Sequence, residues 1–237
     1  MNLTIKFCIN SFIDAYNYLK YCRNNPKKLE VFKKVNRIKC KGLECQMNHN
    51  EKENIFNLVR ETNKIPGDIS EVGVYQGGSA KIICEAKDKK KLHLFDTFQL
   101  GLLDVSERDD EAIKNLVFKS TKEQVQTLLK EYENVFFYEG QFQETGHNLQ
   151  KTRFSFVHLD VDTYKTMKYC LEFFYEKMNI GGVILSHDYG MLAGIQRAFD
   201  EFFEDKKEPI LIMATTSQAL IVKVIDRNKK NKLRRNI

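Results

Sequence analysis

"FSFVHLDVDTY" occupies residues 154–164. Phe154, Phe156, Val157 and Leu159 make a short apolar run of strand length. Two carboxylates, Asp160 and Asp162, follow where the run stops. An unpaired charge is costly away from water, so these groups must be solvated, paired or bound to a cation. A strand that is apolar on both faces belongs to a parallel sheet covered by helices. In such sheets ligands bind beyond the carboxyl ends of the strands, which is where these carboxylates stand.

Working outward, the chain alternates between strand and helix patterns from Asp68 onward. Strands are predicted near 68–74, 91–96, 134–139, 153–160, 180–186, 209–214 and 217–225. Helices are predicted near 77–87, 108–130 with a break near Ser120, 164–177 and 191–205. This order implies a Rossmann-like α/β fold with a seven-stranded, mostly parallel sheet. The last two strands are separated by little more than Thr215-Thr216, too short for a helical crossover, so they must pair antiparallel. Before Asp68 the pattern is helical. Phe12, Ala15, Tyr16, Leu19 and Cys22 form one stripe, and Leu29, Phe32 and Val35 form another beyond Pro26. "NEKENIFNLVRETNKIPG" reads as a further helix, stopped by Pro66-Gly67. The expected organisation is a helical arm over 1–45, a catalytic domain over 46–225 and a basic tail over 226–237.

The other strand ends carry the remaining candidate residues. In "EVGVYQGGSA", Glu71, Gly73, Gly77 and Gly78 bracket a strand-to-helix turn, and Ser79 is placed to cap the helix. The spacing is G-x-x-x-G-G and not the G-x-G-x-x-G of dinucleotide sites. Asp96 ends the next strand in "LFDTF", where a carboxylate can accept both hydroxyls of a ribose. That suits NAD and S-adenosylmethionine alike. Thr97 follows it, and Gln141 and Phe142 end the third strand, in reach of an adenine. Tyr75 and Tyr189 either line the pocket or pack against it. The segment 98–112 reads as a mobile loop over the site. His158 reads as a packed histidine, and Lys165 as a helix-surface lysine.

Composition bounds the alternatives. Of 237 residues 42% are hydrophobic and 30% charged, an ordinary globular balance. No apolar run is long enough to span a bilayer, and the N-terminal stretch lacks a signal-peptide pattern. The six cysteines form no CxxC pair, so reduced thiols in a cytoplasmic protein are expected. The net charge of +6 is uneven: residues 1–45 hold ten Lys/Arg against three Asp/Glu, and residues 226–237 six against one. The basic arms suit solvated faces or peripheral contact with an anionic surface. The acidic middle argues against a nucleic-acid groove.

Together, "DISEVGVYQGGSA", "HLFDTFQLGL", "FVHLDVDTYKTMKYCLEFFYEKMNIGGVILSHDYG", "GIQRAFDEFF" and "TTSQALIVKV" resemble the macrocin O-methyltransferase (TylF-type) family in order and spacing. The resemblance covers roughly residues 50–225. It implies a class I methyltransferase that uses S-adenosylmethionine and magnesium to methylate a sugar hydroxyl. It places cofactor contacts at Glu71, Gly73, Tyr75, Gly77, Gly78, Ser79, Asp96, Thr97, Gln141, Phe142 and Asp160. It places the cation on Asp160, His187 and Asp188, with Asp162 alongside. His187 stands where the family has Asp, and imidazole suits manganese or a softer ion better than magnesium. Three roles stay open for His187: metal ligand, general base or structural group. The expected partner is a sugar-type small-molecule acceptor, with a homo-oligomer also compatible. An NAD-dependent oxidoreductase would use Gly73 and Asp96 but not the carboxylate cluster, and a non-catalytic methyltransferase-fold binding protein is the other alternative.

Overall fold

Apolar strand-length runs alternate with amphipathic stretches, and they fold as a helix-covered sheet in the computed structural model of the chain. Residues 25–38, 45–98, 102–114, 116 and 118–224 are described. The chain divides into two units, 1–39 and 40–237. In the first, helix α1 (Pro26–Arg37) starts on Asn25, whose side chain accepts from the Lys28 N–H, with proline in the first turn where no donor is needed. The predicted helix before Asn25 and the basic tail lie outside the described residues.

The second unit holds the sheet. Helix α2 (His49–Thr62) opens with a reciprocal capping box between Asn48 and Glu51. There follow β1 (Asp68–Val72), α3 (Gly78–Ala86), β2 (Leu92–Asp96), α4 (Lys122–Leu129), β3 (Val135–Glu139) and the short α5 (Phe142–Thr145). After these come β4 (Phe154–Leu159), α6 (Tyr164–Tyr175), β5 (Met178–Ser186), α7 (Ala193–Phe203), β6 (Leu211–Ile212) and β7 (Ala219–Val222). Among the described residues the sheet order is β3-β2-β1-β4-β5-β7-β6. Strands β1 to β5 run parallel, while β7 is antiparallel to both β5 and β6. The inserted, reversed β7 separates this sheet from the 3-2-1-4-5-6 order of dinucleotide-binding domains.

β4 is buried at every residue, as its apolar run requires. Beside it, Phe142, Phe154, Phe173 and Phe174 pack edge-to-face or stacked with centroids 5.0–5.1 Å apart.

Three expectations need correction. The predicted helix over 108–130 is a single 3-10 turn at Glu111–Ile113 and then α4, which starts only where Thr121 and Gln124 form a capping box. The segment 98–112, read as mobile, is tied down by its acidic residues where it is described. Asp104 accepts from the Thr163 and Thr166 hydroxyls. Asp109 accepts from the Tyr164 N–H at 2.6 Å and Asp110 from the Ala193 N–H at 2.7 Å. Those donors begin α6 and α7, whose own N-cap residues, Thr163 and Leu192, give no side-chain cap. Finally, Ser79 does not cap α3. Gly77 holds that position at φ +82, where a Cβ would meet Val125 Cγ1 at 2.9 Å.

Candidate functional site

The four strand ends named by the sequence open on one cavity of 480 Å³. Its floor depends on a close backbone approach. Gly73, just past β1, has φ +87, and a Cβ there would lie 1.9 Å from the Asp160 carbonyl oxygen. The ladder carries on into the site, with the Gly73 N–H donating to Phe95, the Asp160 N–H to Val72 and the His187 N–H to Leu159.

At the β1–β2 end, Asp96 organises the turn. Its Oδ2 accepts from the Val74 and Tyr75 N–H groups at 2.6 and 2.8 Å, and its Oδ1 from the Phe98 N–H at 2.7 Å. Tyr75 and Phe98 have φ 50 and 49, and these anchors hold that left-handed backbone in place. Each carboxylate oxygen keeps acceptor capacity toward the cavity. Gly73, Tyr75, Gly78, Ser79, Thr97 and Gln141 also line it. Phe142 touches the cavity but is only 3% exposed. Glu71 and Gly77 do not line it. Glu71 lies beneath the floor, fully buried, with His158 Nδ1 2.8 Å from Oε1. Burial raises its carboxyl above the usual range, against the opposing pull of His158 and Ser79. His158 is thus the packed histidine expected. Tyr189 is buried and donates to Asp200 at 2.6 Å, away from the lining.

At the β4–β5 end, His187 Nδ1 lies 3.0 Å from Asp160 Oδ1 and 3.0 Å from Asp188 Oδ2. In an extended strand His187 and Asp188 would point to opposite faces. Asp188 instead has φ 56, and the resulting turn brings both side chains onto Asp160. One ligating atom from each of the three lies within 4.8 Å of the others. His187 is 8% exposed, and neither ring nitrogen has a partner in hydrogen-bond geometry. Two carboxylates and an imidazole nitrogen crowded together without directed hydrogen bonds fit the donor set of a divalent cation.

The electrostatics agree. Burial alone would push the His187 ring down, but Asp160, together with Asp188 and Glu51, raises it well above the ordinary imidazole range. Burial opposes ionisation of Asp160, yet the His187 charge holds it low. Asp162 is pushed up to about 8 by burial and by the charges of Asp160 and Asp188. The cluster therefore demands one positive charge, supplied by a proton or by a cation.

Glu51 is the residue that sequence reasoning missed. It is 4% exposed, lines the cavity, and puts Oε2 3.6 Å from His187 Nε2. Its Oε1 accepts from both the N–H and the hydroxyl of Ser217. Burial works against its charge, but His187 and the Asn48 and Ser217 N–H groups hold it at about 2. The Asn48-x-x-Glu51 spacing was a legible signal for a helix start, though not for a site.

Comparison with known proteins gives three relations. A Demethyldecarbamoylnovobiocin O-methyltransferase from Streptomyces niveus is 29% identical over 168 residues, covering 63% of this chain and 64% of that enzyme. The fold matches the O-methyltransferase NovP with TM-score 0.64 at 22% identity, over 76% of this chain and 82% of that one. It matches CalS11, a TDP-rhamnose 3'-O-methyltransferase, with TM-score 0.57 at 16% identity, over 84% and 95%. No helix among the described residues is long and apolar enough to cross a membrane. The model of the Macrocin-O-methyltransferase (TylF) family matches residues 46–217, most of the chain, and the protein belongs to that family.

Proposed function

We propose that the protein transfers the methyl group of S-adenosylmethionine to a hydroxyl of a sugar-containing small molecule. One observation carries this reading: a single cavity joins the glycine turn and Asp96 at one end to Asp160, His187 and Asp188 at the other. The first end suits a nucleoside and an amino-acid tail. Asp96 would accept from the ribose hydroxyls, and Gly73 and Gly78 would let the cofactor lie against the backbone. Family membership makes S-adenosylmethionine the cofactor, and the relatives that act on novobiocin and TDP-rhamnose precursors support a sugar-bearing acceptor.

In the reaction the acceptor oxygen forms a bond to the methyl carbon while the carbon–sulfur bond breaks. Sulfur keeps that electron pair and leaves as a neutral thioether, and the hydroxyl proton passes to a base. An unperturbed alcohol holds its proton too tightly for this at neutral pH. Asp160, His187 and Asp188 would hold a divalent cation, whose charge stabilises a developing alkoxide. Asp162 lines the same space and is the candidate proton acceptor. Residues 1–45, outside the family match, are proposed to contact the acceptor or a second subunit.

The test is thermal stabilisation by S-adenosylhomocysteine against NAD, followed by mass analysis of TDP-rhamnose and simple glycosides incubated with S-adenosylmethionine. A rise in Tm with the first ligand and a gain of one methyl group on an acceptor are expected. Stabilisation by NAD and not by S-adenosylhomocysteine would overturn the reading.

A further inference from the structure

The imidazole of His187 lies between two sets of acids. Nδ1 faces Asp160 and Asp188, while Nε2 faces Glu51, and the ring is 8% exposed with no hydrogen-bond partner on either nitrogen. Glu51 belongs to neither of the strands that carry the trio. It arrives from the first turn of α2 and is clamped by the Asn48 N–H and by the N–H and hydroxyl of Ser217, next to β7. It cannot swing into the trio without giving up those bonds.

We propose that Glu51 is a positioning residue that holds the proton of His187 on Nε2, and that Nδ1 is thereby left as a nitrogen ligand that makes this site prefer a borderline transition-metal cation of the manganese–cobalt class over magnesium. The inference rests on the cation-assisted reading above and deepens it. A ligating imidazole must offer a bare lone pair on one nitrogen, and its other N–H is then held by a carboxylate or carbonyl. Glu51 is the carboxylate on that side. Magnesium favours all-oxygen surroundings and sheds water reluctantly, whereas imidazole binds later first-row ions better. An aspartate at position 187 would remove this discrimination, and Glu51 would then have no ring to orient.

The experiment is direct cation binding to the full-length protein by calorimetry with manganese, cobalt and magnesium chlorides, without acceptor. Electron spin-echo spectroscopy of the manganese form reads nitrogen coordination. The wild type should bind manganese and cobalt at least about tenfold more tightly than magnesium. It should also show modulation from a directly bound nitrogen. His187→Asp should lose that modulation and bring the affinities together. Glu51→Gln should weaken manganese roughly 10–100-fold in the wild-type background and have little effect in the His187→Asp background. If Glu51→Gln folds poorly, Ser217→Ala, which removes one of its clamps, should give a smaller loss with the same dependence on His187. Equal affinities with no nitrogen signal would overturn the proposal, as would no cation binding at all. Equal losses from Glu51→Gln in both backgrounds would make Glu51 merely structural. Stabilisation by S-adenosylhomocysteine, measured on the same samples, tests the methyltransferase reading separately.

Discussion

The two ends of the cavity hold carboxylates in opposite conditions. At the β1–β2 end, Asp96 accepts three backbone N–H groups and fixes the turn that surrounds it. At the β4–β5 end, Asp160, Asp188 and His187 are pressed within 3.0 Å of one another without hydrogen-bond geometry on the ring. The first arrangement is complete in itself and offers a rigid surface with spare acceptor capacity. The second is incomplete and needs a charge from outside the polypeptide. The difference assigns the ends: a preformed cradle for the larger, permanent reaction partner, and an electrostatic vacancy for a cation and the acceptor it activates.

The largest expected effect breaks the β4–β5 end alone. Asp160→Asn removes a ligand and a charge, and methyl transfer should fall by roughly 10²–10³-fold, as when a main electrostatic stabiliser is lost. Chelation should have a comparable effect, reversible on adding manganese. Full activity in chelator, with metal shown to be absent, would refute the distinction between the ends. Gly73→Ala attacks both ends together, because the new Cβ collides with the Asp160 carbonyl at a left-handed φ. A loss of about 4 kcal/mol of stability is expected. Calorimetric melting should show this as a Tm lower by roughly 8–16 °C.

Smaller effects sharpen the comparison by perturbing what supports the ends from outside. Asp110→Ala leaves the first N–H of α7 without its acceptor, and should cost about 1 kcal/mol, the usual worth of a helix cap. Tm should then drop by roughly 2–4 °C with S-adenosylhomocysteine affinity unchanged. Asp109→Ala should behave similarly through α6, with some loss of turnover, since the same loop brings Leu102 and Asp104 to the cavity. Denaturation and kinetics on the two variants separate these outcomes.

Much of this was legible because buried parallel strands leave an unmistakable trace. In β4 the apolar run ends abruptly at Asp160, and a carboxylate where burial stops has few explanations. The reversed β7 was legible from the shortness of the Thr215-Thr216 link. What escaped depended on contacts between residues far apart in the chain. Glu51 sits in an amphipathic helix where glutamate ordinarily faces water, and only its clamp to Ser217, 166 positions away, makes it buried. The charged stretch after Arg108 has helical composition, yet Asp109 and Asp110 serve as caps for α6 and α7 and so cannot continue a helix of their own. Local propensity gave way there to bonds that no local window contains.

The most direct test of the division between the two ends is calorimetric titration of S-adenosylhomocysteine into the wild type, Asp96→Ala and Asp160→Asn. Removing Asp96 deletes charge-assisted hydrogen bonds worth roughly 1.5–3 kcal/mol each, so affinity should fall at least about tenfold. Asp160→Asn should bind almost as the wild type does. A wild-type affinity in Asp96→Ala, or a loss in Asp160→Asn as large as that in Asp96→Ala, would contradict the account.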